Sequence, residues 1–482
     1  MVSSTSPITE RTYNLTQSAN IDVDSVKSSD PQATQDPSPQ PAKTETNAFF
    51  EPNLTDVPYD MKEEGILFTH SDEMSSNMDI GELARYHDET EPSRAKSHIM
   101  EQMDRFGFTQ ALQRNAINLL GSAVSYENLE CILQRTVSET EKEKLIRSFI
   151  TAGKVIHAYS SSKTMRYIQG NTAEYSIAYH NKDNKGDLVI ITGDDPYERG
   201  SKKKVIKAVH LNSGVNFVKL SVDLRHSESA KSIEIFKLKS ELNISKMLHN
   251  CINNDPDVQN RDCLMEPPLF SGILQTSNSE EYDMFQVEAD GDGERLIQVS
   301  PKQQLHALIN VAQGLSYMHE KGWGHTDVKP KNILFFGNPD STKPIIAKVA
   351  DFGSTLQMGE KLRSCTPLYV PHENLTNVDG GQPRIFGNAL PSVDSFSLGK
   401  TILELLDQEQ FYKFKYKCAL ELKQRLHDFE TRISLLDPSI ITPEDKILKL
   451  GMLNVARSLM HYDPAERISC AQAAIDLQTL LH

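Results

Sequence analysis

Residues 324–334 read Gly-His-Thr-Asp-Val-Lys-Pro-Lys-Asn-Ile-Leu, and Asp-Phe-Gly follows at 351–353. Asp327 is therefore followed by Asn332 five residues later and by Asp351 after 24 residues. Each of these pieces alone is typical of a surface loop. Their order and spacing, downstream of a predicted amphipathic helix that begins at Ser300-Pro301, argue against a chance arrangement.

This pattern resembles the catalytic loop and the DFG motif of eukaryotic-type (Hanks-type) protein serine/threonine kinases. A phosphoryl group passing from ATP to a hydroxyl spreads charge over its oxygens, so the chemistry needs a base near the hydroxyl and metal ligands near the phosphates. The resemblance implies that Asp327 deprotonates the hydroxyl and that Lys329 contacts the transferred phosphate. It also implies that Asn332 and Asp351 hold Mg²⁺, with Mn²⁺ as the alternative ion.

The resemblance extends upstream to a lysine and a glutamate. Residues 215–219 are similar to the third strand of the family's small lobe, which makes Lys219 the expected partner of the ATP phosphates. Glu241 follows 22 residues later in a predicted helix and is expected to pair with Lys219. A charged partner is needed because the lysine must stay cationic while it is partly desolvated.

The expected glycine-rich loop is incomplete. Val205, 14 residues before Lys219, is expected to cover the adenine, but Gly200 is the one glycine left where the family has GxGxxG. Glycines there let backbone N–H groups approach phosphates closely. The lysines at 202–204 could supply charge instead, although a solvated basic hairpin is the competing role for most of them.

Three later motifs complete the resemblance. Residues 366–373 are similar to the family's TxxYxAPE segment, residues 394–399 to its DxWSxG helix start and residues 463–467 to its DPxxR motif. Thr366 is expected to hydrogen-bond Asp327 and Lys329, and Glu373 to pair with Arg467 as a structural clamp. The likeness covers about residues 188–482.

Two positions depart from the family pattern. Thr326 stands where many kinases have an arginine that neutralises a phosphate on the activation loop, so activity is predicted not to require that phosphorylation. Ser245, four residues after Glu241, stands where an apolar side chain usually links the lobes. The small-lobe helix is therefore expected to sit loosely until another element, such as the helical region before it, packs on it.

The predicted fold is α+β and bilobal. Residues 1–60 are expected to form a disordered polar tail, since 27 of the first 50 are Ser, Thr, Pro, Gln or Asn. Residues 61–160 read as a helical module, which could bind a partner or, more simply, buttress its neighbour. Residues 161–482 form the kinase-like domain, with a β-rich lobe to about 289 and an α-rich lobe over about 290–482.

Composition limits the functional classes. The net charge of −15 argues against a nucleic-acid binder, since no excess of cations is available to neutralise phosphates. No apolar run approaches the roughly 20 residues needed to cross a bilayer. Six scattered cysteines without CxxC spacing favour a reducing environment and no structural zinc. A cytoplasmic location is predicted, with delivery into a host cell without a classical signal peptide as a further possibility, since the tail resembles the leaders of delivered bacterial effectors.

The substrate class follows from the same resemblance. Lys329 and Thr366 are features of the serine/threonine branch, and the 369–373 segment favours protein over small-molecule substrates. Glu288 and Ala289 are expected to bring backbone groups to the adenine edge, with Val287 as gatekeeper. The main hypothesis is an ATP- and Mg²⁺-dependent protein serine/threonine kinase. The alternative is a pseudokinase scaffold that binds protein partners, and a third hypothesis adds delivery into a host cell to the first.

Overall fold

A computed structural model describes most of the chain beyond residue 92. The described residues are 67–68, 93–121, 123–159, 166–169, 176–182, 185–192, 198–199, 203–225, 227–254, 263–275, 280–376, 384–412 and 418–482. The predicted tail, residues 1–60, lies outside them. Within this described part, no helix combines the length and apolar character needed to cross a bilayer.

Within the described residues, four helices lie between the first and second strands of the β-rich lobe: α1 (Arg94–Arg105), α2 (Gln110–Gly121), α3 (Tyr126–Arg135) and α4 (Glu139–Tyr159). Serine side chains cap three of them, namely Ser93, Ser125 and Ser138, and the Ser138 hydroxyl accepts a hydrogen bond from the Glu141 backbone N–H at 3.4 Å. The inward faces share one apolar core, in which Ile99, Ile117 and Phe149 are fully buried.

The small lobe is built on one sheet, which has nine strands in the part of the chain that the structure describes. Its strands are β1 (Leu67–Phe68), β2 (Arg166–Gln169), β3 (Ser176–Lys182), β4 (Lys185–Ile191), β5 (Glu198–Arg199), β6 (Lys203–His210), β7 (Val215–Asp223), β8 (Phe270–Gln275) and β9 (Glu280–Val287). The order is β1-β8-β9-β7-β6-β4-β3-β2, with β5 paired to β6. Helix α5 (Glu228–Asn254) follows β7 and packs Leu238 against one face of the sheet.

The four-helix module is part of this lobe and shares its apolar core with Leu188 and Ile190 of β4. Asn128 donates to the carbonyl of Asn212 at 2.6 Å, and the Asn212 side chain donates to the carbonyl of Ala123 at 3.2 Å. The module is therefore hydrogen-bonded to the turn between β6 and β7. The sequence predicted that this module could pack on helix α5. The contacts described here are instead with β4 and with the turn between β6 and β7.

The large lobe is mostly helical. Its helices are α6 (Pro301–Glu320), α7 (Pro391–Leu406), α8 (Gln408–Phe411), α9 (Ala419–Leu435), α10 (Pro443–Leu459) and α11 (Cys470–Thr479). Short strands frame its loops: β10 (Gly291–Asp292), β11 (Trp323–Gly324), β12 (Ile333–Phe336), β13 (Ile346–Val349), β14 (Leu356–Gln357), β15 (Leu375–Thr376) and β16 (Arg384–Ile385). The predicted α6 start is confirmed, since Ser300 caps it and Pro301 is its first residue.

Helix α7 is the centre of this lobe. Every residue from Val393 to Leu406 is buried, as expected for a helix that is surrounded by other elements on all sides. Arg467 donates to both carboxylate oxygens of Glu373, at 2.5 and 2.9 Å, so the predicted structural clamp is confirmed. A β-rich lobe followed by an α-rich lobe matches the predicted α+β bilobal architecture.

Candidate active site

A buried aspartate of helix α7 holds the loop that carries Asp327. Asp394 accepts hydrogen bonds from the backbone N–H groups of His325 at 2.8 Å and Thr326 at 2.7 Å, and lies 2.9 Å from Nε2 of His319. Burial pushes the pKa of Asp394 upward, but the His319 hydrogen bond and nearby positive charge outweigh it, so the pKa lies below its usual value. Asp394 is therefore an ionised anchor that fixes the loop backbone.

The predicted catalytic residues come together around Asp327. Lys329 Nζ lies 2.6 Å from Asp327 Oδ2, and Asn332 Nδ2 donates to the Asp327 carbonyl at 2.8 Å and to Oδ2 at 3.1 Å. Thr366 donates its backbone N–H to Asp327 Oδ1 at 2.8 Å and accepts from Lys329 Nζ at 2.8 Å. The expected hydrogen bonds of Thr366 are thus confirmed, and the closing segment contacts the candidate base directly.

Asp351 faces the same space from the other side. Its backbone lies in the left-handed region, with φ of 63°, which is uncommon for a residue with a side chain. Burial acts to raise the pKa of Asp351, but the charge and hydrogen bond of Lys203 outweigh it and keep the pKa below its usual value. The carboxylate is therefore anionic and available to a cation.

The lysine of the site is Lys203, and the prediction of Lys219 is wrong. Lys203 Nζ lies 2.6 Å from Glu241 Oε1 and 3.0 Å from Asp351 Oδ1. Lys219 Nζ instead lies 3.3 Å from Asp283 Oδ2 and 3.8 Å from Glu281 Oε2. Glu241 is placed as predicted, but its partner comes from the preceding strand, β6.

Strand alternation explains this correction. Successive side chains of a strand point to opposite faces, and residues directly opposite in antiparallel strands share a face. Leu220 lies opposite Val205 on β6 and Met284 on β9, and all three line the cleft. Lys219 therefore points to the opposite face of the sheet. Lys203, two residues before Val205, points into the cleft.

The charges on Lys203 and Glu241 are mutually supported. Burial lowers the pKa of Lys203, but Glu241 and Asp351 more than reverse this and raise it above the usual value. Burial raises the pKa of Glu241, and Lys203 opposes that rise. A cation held by two carboxylates at the edge of a cleft is suited to meet an incoming anion.

One cavity of about 270 Å³ joins these groups. Its lining combines apolar side chains, among them Val205, Leu220, Met284 and Leu334, with polar groups, namely Lys203, Glu241, Lys329, Asn332 and Asp351. Apolar, cationic and oxygen-bearing groups in one cavity fit a nucleotide with a bound divalent ion. Ser245 also lines the cavity, beside Leu242.

The described residues contain no group of three or more His, Cys, Asp or Glu side chains able to hold a metal ion. Mg²⁺ usually binds through one or two carboxylates together with substrate phosphates and water rather than in an all-protein cage. Asp351 and the amide oxygen of Asn332 are two suitable oxygen donors, so the residues present fit a metal that arrives with the nucleotide.

The predictions for the connection between the lobes have different outcomes. Val287 packs with Phe217 and Phe285 on the face of the sheet away from the cleft, so its assignment as gatekeeper is wrong; Met284 and Gln286 line the cavity instead. Glu288 and Ala289 follow the last small-lobe strand, as expected for the connection between lobes. Their backbone contacts with adenine stay a prediction, and Gly200 lies outside the described residues.

The missed lysine had a signal in the sequence. Val218, Leu220 and Val222 form an alternating apolar row that places Lys219 on the other face, and Lys203 shares the parity of Val205. Reading the parity of both strands together would have selected Lys203.

Comparison with known proteins agrees with this geometry. A family model for the protein kinase domain matches residues 198–476. Serine/threonine-protein kinase ArnS of Sulfolobus acidocaldarius is 30% identical over 178 residues, which is 35% of this chain and 26% of that protein. The probable serine/threonine-protein kinase fhkD of Dictyostelium discoideum is 27% identical over 295 residues, 57% of this chain and 37% of that protein.

A mammalian kinase is similar over a comparable span. Eukaryotic translation initiation factor 2-alpha kinase 3 of Rattus norvegicus is 26% identical over 277 residues, 55% of this chain and 23% of that protein. The chain therefore spans roughly a quarter to two fifths of the length of these relatives. The match is confined to part of each protein.

Proposed function

The chain belongs to the protein kinase family, and on that premise we propose that it transfers the γ-phosphoryl group of ATP to serine or threonine hydroxyls of other proteins. The observation that carries the proposal is the meeting of Lys203, Asn332 and Asp351 in one cavity beside Asp327. These groups come from three separate segments of the chain, and a fold without nucleotide chemistry has no need to bring them together.

Different groups of residues would bind the adenine, the phosphates and the metal ion of Mg-ATP. Val205, Leu220 and Met284 supply an apolar slot for the adenine, and Lys203 supplies a positive charge for the phosphates. Asp351 and Asn332 would hold Mg²⁺. When bound, Mg²⁺ neutralises phosphate charge and orients the transferred group.

The transfer itself depends on Asp327 and Lys329. Asp327 accepts the proton of the attacking hydroxyl, and positioned proton transfer of this kind contributes typically 10² to 10⁴ in rate. Lys329, held 2.6 Å from Asp327 Oδ2 and 2.8 Å from Thr366 Oγ1, stabilises negative charge on the phosphoryl group in transit. Thr366 thereby links the acceptor side of the cleft to the base. This arrangement and the names of the relatives support serine and threonine as acceptors.

The test uses the whole protein with Mg²⁺, labelled ATP and a mixture of cellular proteins, followed by mapping of phosphosites by mass spectrometry. Wild type is expected to label serine and threonine, and Asp327→Asn is expected to lose at least a hundredfold in rate while folding normally. Equal labelling by both proteins would instead support the scaffold alternative, in which the cleft binds partners without transferring phosphate. The intact set of charged groups in the cavity argues for the enzyme.

Independence from activation-loop phosphorylation is part of the proposal. Thr326 is buried and offers no cation to a phosphate, and Thr366 already contacts Asp327 without one. Replacing Ser354, Thr355 and Ser364 together by alanine is expected to leave turnover within a few-fold of wild type. A hundredfold loss would contradict it.

Delivery into a host cell stays a prediction that rests on the Ser/Thr-rich composition of residues 1–60. A reporter fused to these residues tests it. Entry of the reporter into host cells would support delivery, and its retention would favour a resident enzyme.

A further inference from the structure

Thr326 has an unusual backbone conformation next to the candidate base. Its φ is 62°, and Thr326 and Asp351 are the non-glycine residues with positive φ within the described part of the chain. A β-branched residue is strained in this region and stays there only when its surroundings hold it. Thr326 is 2% exposed, and its backbone N–H donates to Asp394 at 2.7 Å.

The Thr326 side chain makes a second, longer-range contact. Its hydroxyl donates to the backbone carbonyl of Ser354 at 2.6 Å. Ser354 ends the 3₁₀ turn that begins directly after Asp351, and the Thr355 N–H closes that turn on the Phe352 carbonyl at 3.1 Å. A bond to Ser354 therefore holds the far end of the turn that sets the direction of Asp351.

The segment that leads into Thr326 and the segment that follows Ser354 are also joined by backbone hydrogen bonds. Strand β11, which leads into Thr326, pairs with strand β14, which follows Ser354. The Met358 N–H also donates to the Gly322 carbonyl at 2.8 Å. Two side chains of the catalytic loop therefore flank Asp351: His325 Nε2 lies 3.0 Å from the Ala350 carbonyl before it, and the Thr326 hydroxyl bonds the Ser354 carbonyl after it.

We propose that Thr326 is a positioning residue that holds Asp351 in its metal-binding orientation through the Ser354 carbonyl. The inference rests on the proposed phosphotransfer function and adds a mechanism to it. The catalytic loop and the segment after Asp351 are joined by an internal neutral hydrogen bond, so no phosphate is needed to join them. Loss of the bond leaves Asp351 less often in place, and the defect is therefore expected in metal dependence.

The test compares Thr326→Val with Thr326→Ser. Valine keeps the branched shape and the backbone strain but removes the hydroxyl, while serine keeps the hydroxyl. Thr326→Val is expected to lower kcat about tenfold and to raise the half-saturating Mg²⁺ concentration about tenfold, as expected when a partly buried acceptor loses its donor. Thr326→Ser is expected to stay within about threefold of wild type in both.

A matched control is Thr401→Val. Thr401 is a buried threonine of α7 whose hydroxyl donates to the Ser397 carbonyl at 2.8 Å, so this variant loses a similar bond elsewhere. It is expected to lower thermal stability without moving the Mg²⁺ dependence. A Thr326→Val protein with unchanged Mg²⁺ dependence, or a Thr326→Ser protein as impaired as Thr326→Val, would overturn the proposal.

A readout without turnover separates this inference from the proposed function. Amide hydrogen exchange at Thr355 and Met358 is expected to accelerate in Thr326→Val and in Thr326→Ala, but not in Thr326→Ser or Thr401→Val. Unchanged exchange in both hydroxyl-lacking variants would overturn the positioning role even if the enzyme proved active. A wild type without phosphotransfer but with the expected exchange would refute the function and keep the positioning role.

Discussion

The two faces of the small-lobe sheet each carry a lysine beside carboxylates, and only the lysine on the cleft face, Lys203, lines the cavity described above. On the cleft face, the side chains of Lys203 and Asp351 are 23% and 48% exposed. On the other face, those of Lys219 and Asp283 are 5% and 0% exposed. The first group can admit a ligand, whereas the second is closed by its own neighbours. Charge type alone therefore does not distinguish a catalytic lysine from a structural one.

The carboxylates differ in the same sense. The pKa of Asp351 lies below its usual value because Lys203 outweighs burial, whereas burial raises the pKa of Asp283 and Lys219 only partly offsets it. The cleft carboxylate remains anionic and half exposed. Asp283 is buried and accepts hydrogen bonds from Lys219 and from the Ser221 hydroxyl, so its role is to provide these buried donors with an acceptor.

The largest effect is expected on stability, at the closed pair. Lys219→Met leaves Asp283 as a buried charge without its cation, which is expected to lower the free energy of unfolding by about 4 kcal/mol. Urea denaturation of wild type and Lys219→Met measures this change in the free energy of unfolding. Adding Asp283→Asn to Lys219→Met is expected to recover most of the loss, and activity per folded molecule is expected to persist. Loss of activity in fully folded Lys219→Met protein would break the comparison.

The next effect is on activity, at the open pair. Lys203→Met removes the cation that faces the phosphates, and by analogy with the loss of one preorganised donor we expect turnover to fall about 10²- to 10³-fold. The melting temperature is expected to change little, because the pair is partly exposed. Lys204→Met is the matched control, since the neighbouring lysine pairs with Glu281 on the other face. Similar activities of Lys203→Met and wild type would refute the assignment.

The contrast between contiguous and distant residues explains what the sequence could predict. Asp327, Lys329 and Asn332 lie within six residues, so their mutual placement follows from one loop, and their predicted cluster is observed. The helix start at Ser300 is predictable for the same local reason.

Lys219 was misplaced because its role depends on which face of a strand points to the cleft. That choice is set by the pairing of β6, β7 and β9, and a count of residues from a family pattern does not contain it. The Thr326 hydroxyl bond to Ser354 joins residues 28 apart and needs the fold before it can be seen.

A relocation experiment sharpens the comparison further. Leu220 faces the cleft next to Lys219, opposite Val205 and Met284, so Leu220→Lys places an amine on the correct face of β7. In the Lys203→Met background, Leu220→Lys is expected to recover about tenfold in turnover, equivalent to roughly 1.4 kcal/mol. The recovery is partial because the new amine adds a desolvation cost in an apolar row.

The control for relocation is Ser221→Lys in the same background, since Ser221 faces the closed side. Recovery with Leu220→Lys alone would support the strand-parity argument. Recovery with neither variant in well-folded protein would show that the cleft accepts its lysine from β6 only.

The smallest expected effect concerns Lys400, a buried lysine of the large lobe. Lys400 of α7 donates to the Phe411 carbonyl, and burial lowers its pKa to about 8, although Glu404 opposes the shift. The unfolded chain holds that proton up to its higher ordinary pKa, so it binds more protons than the folded chain above pH 8. Stability from this group therefore rises with pH, by about 1 kcal/mol between pH 8 and pH 9.

Lys400→Met is expected to remove this rise, and Lys423→Met, at an exposed position of α9, is expected to keep it. Urea denaturation of the three proteins at pH 8 and pH 9 measures the difference. A steeper rise in Lys400→Met than in wild type would contradict the sign. Such a result would mean that this lysine, like Lys203, is held as a cation by its surroundings, because a carboxylate partner then outweighs burial.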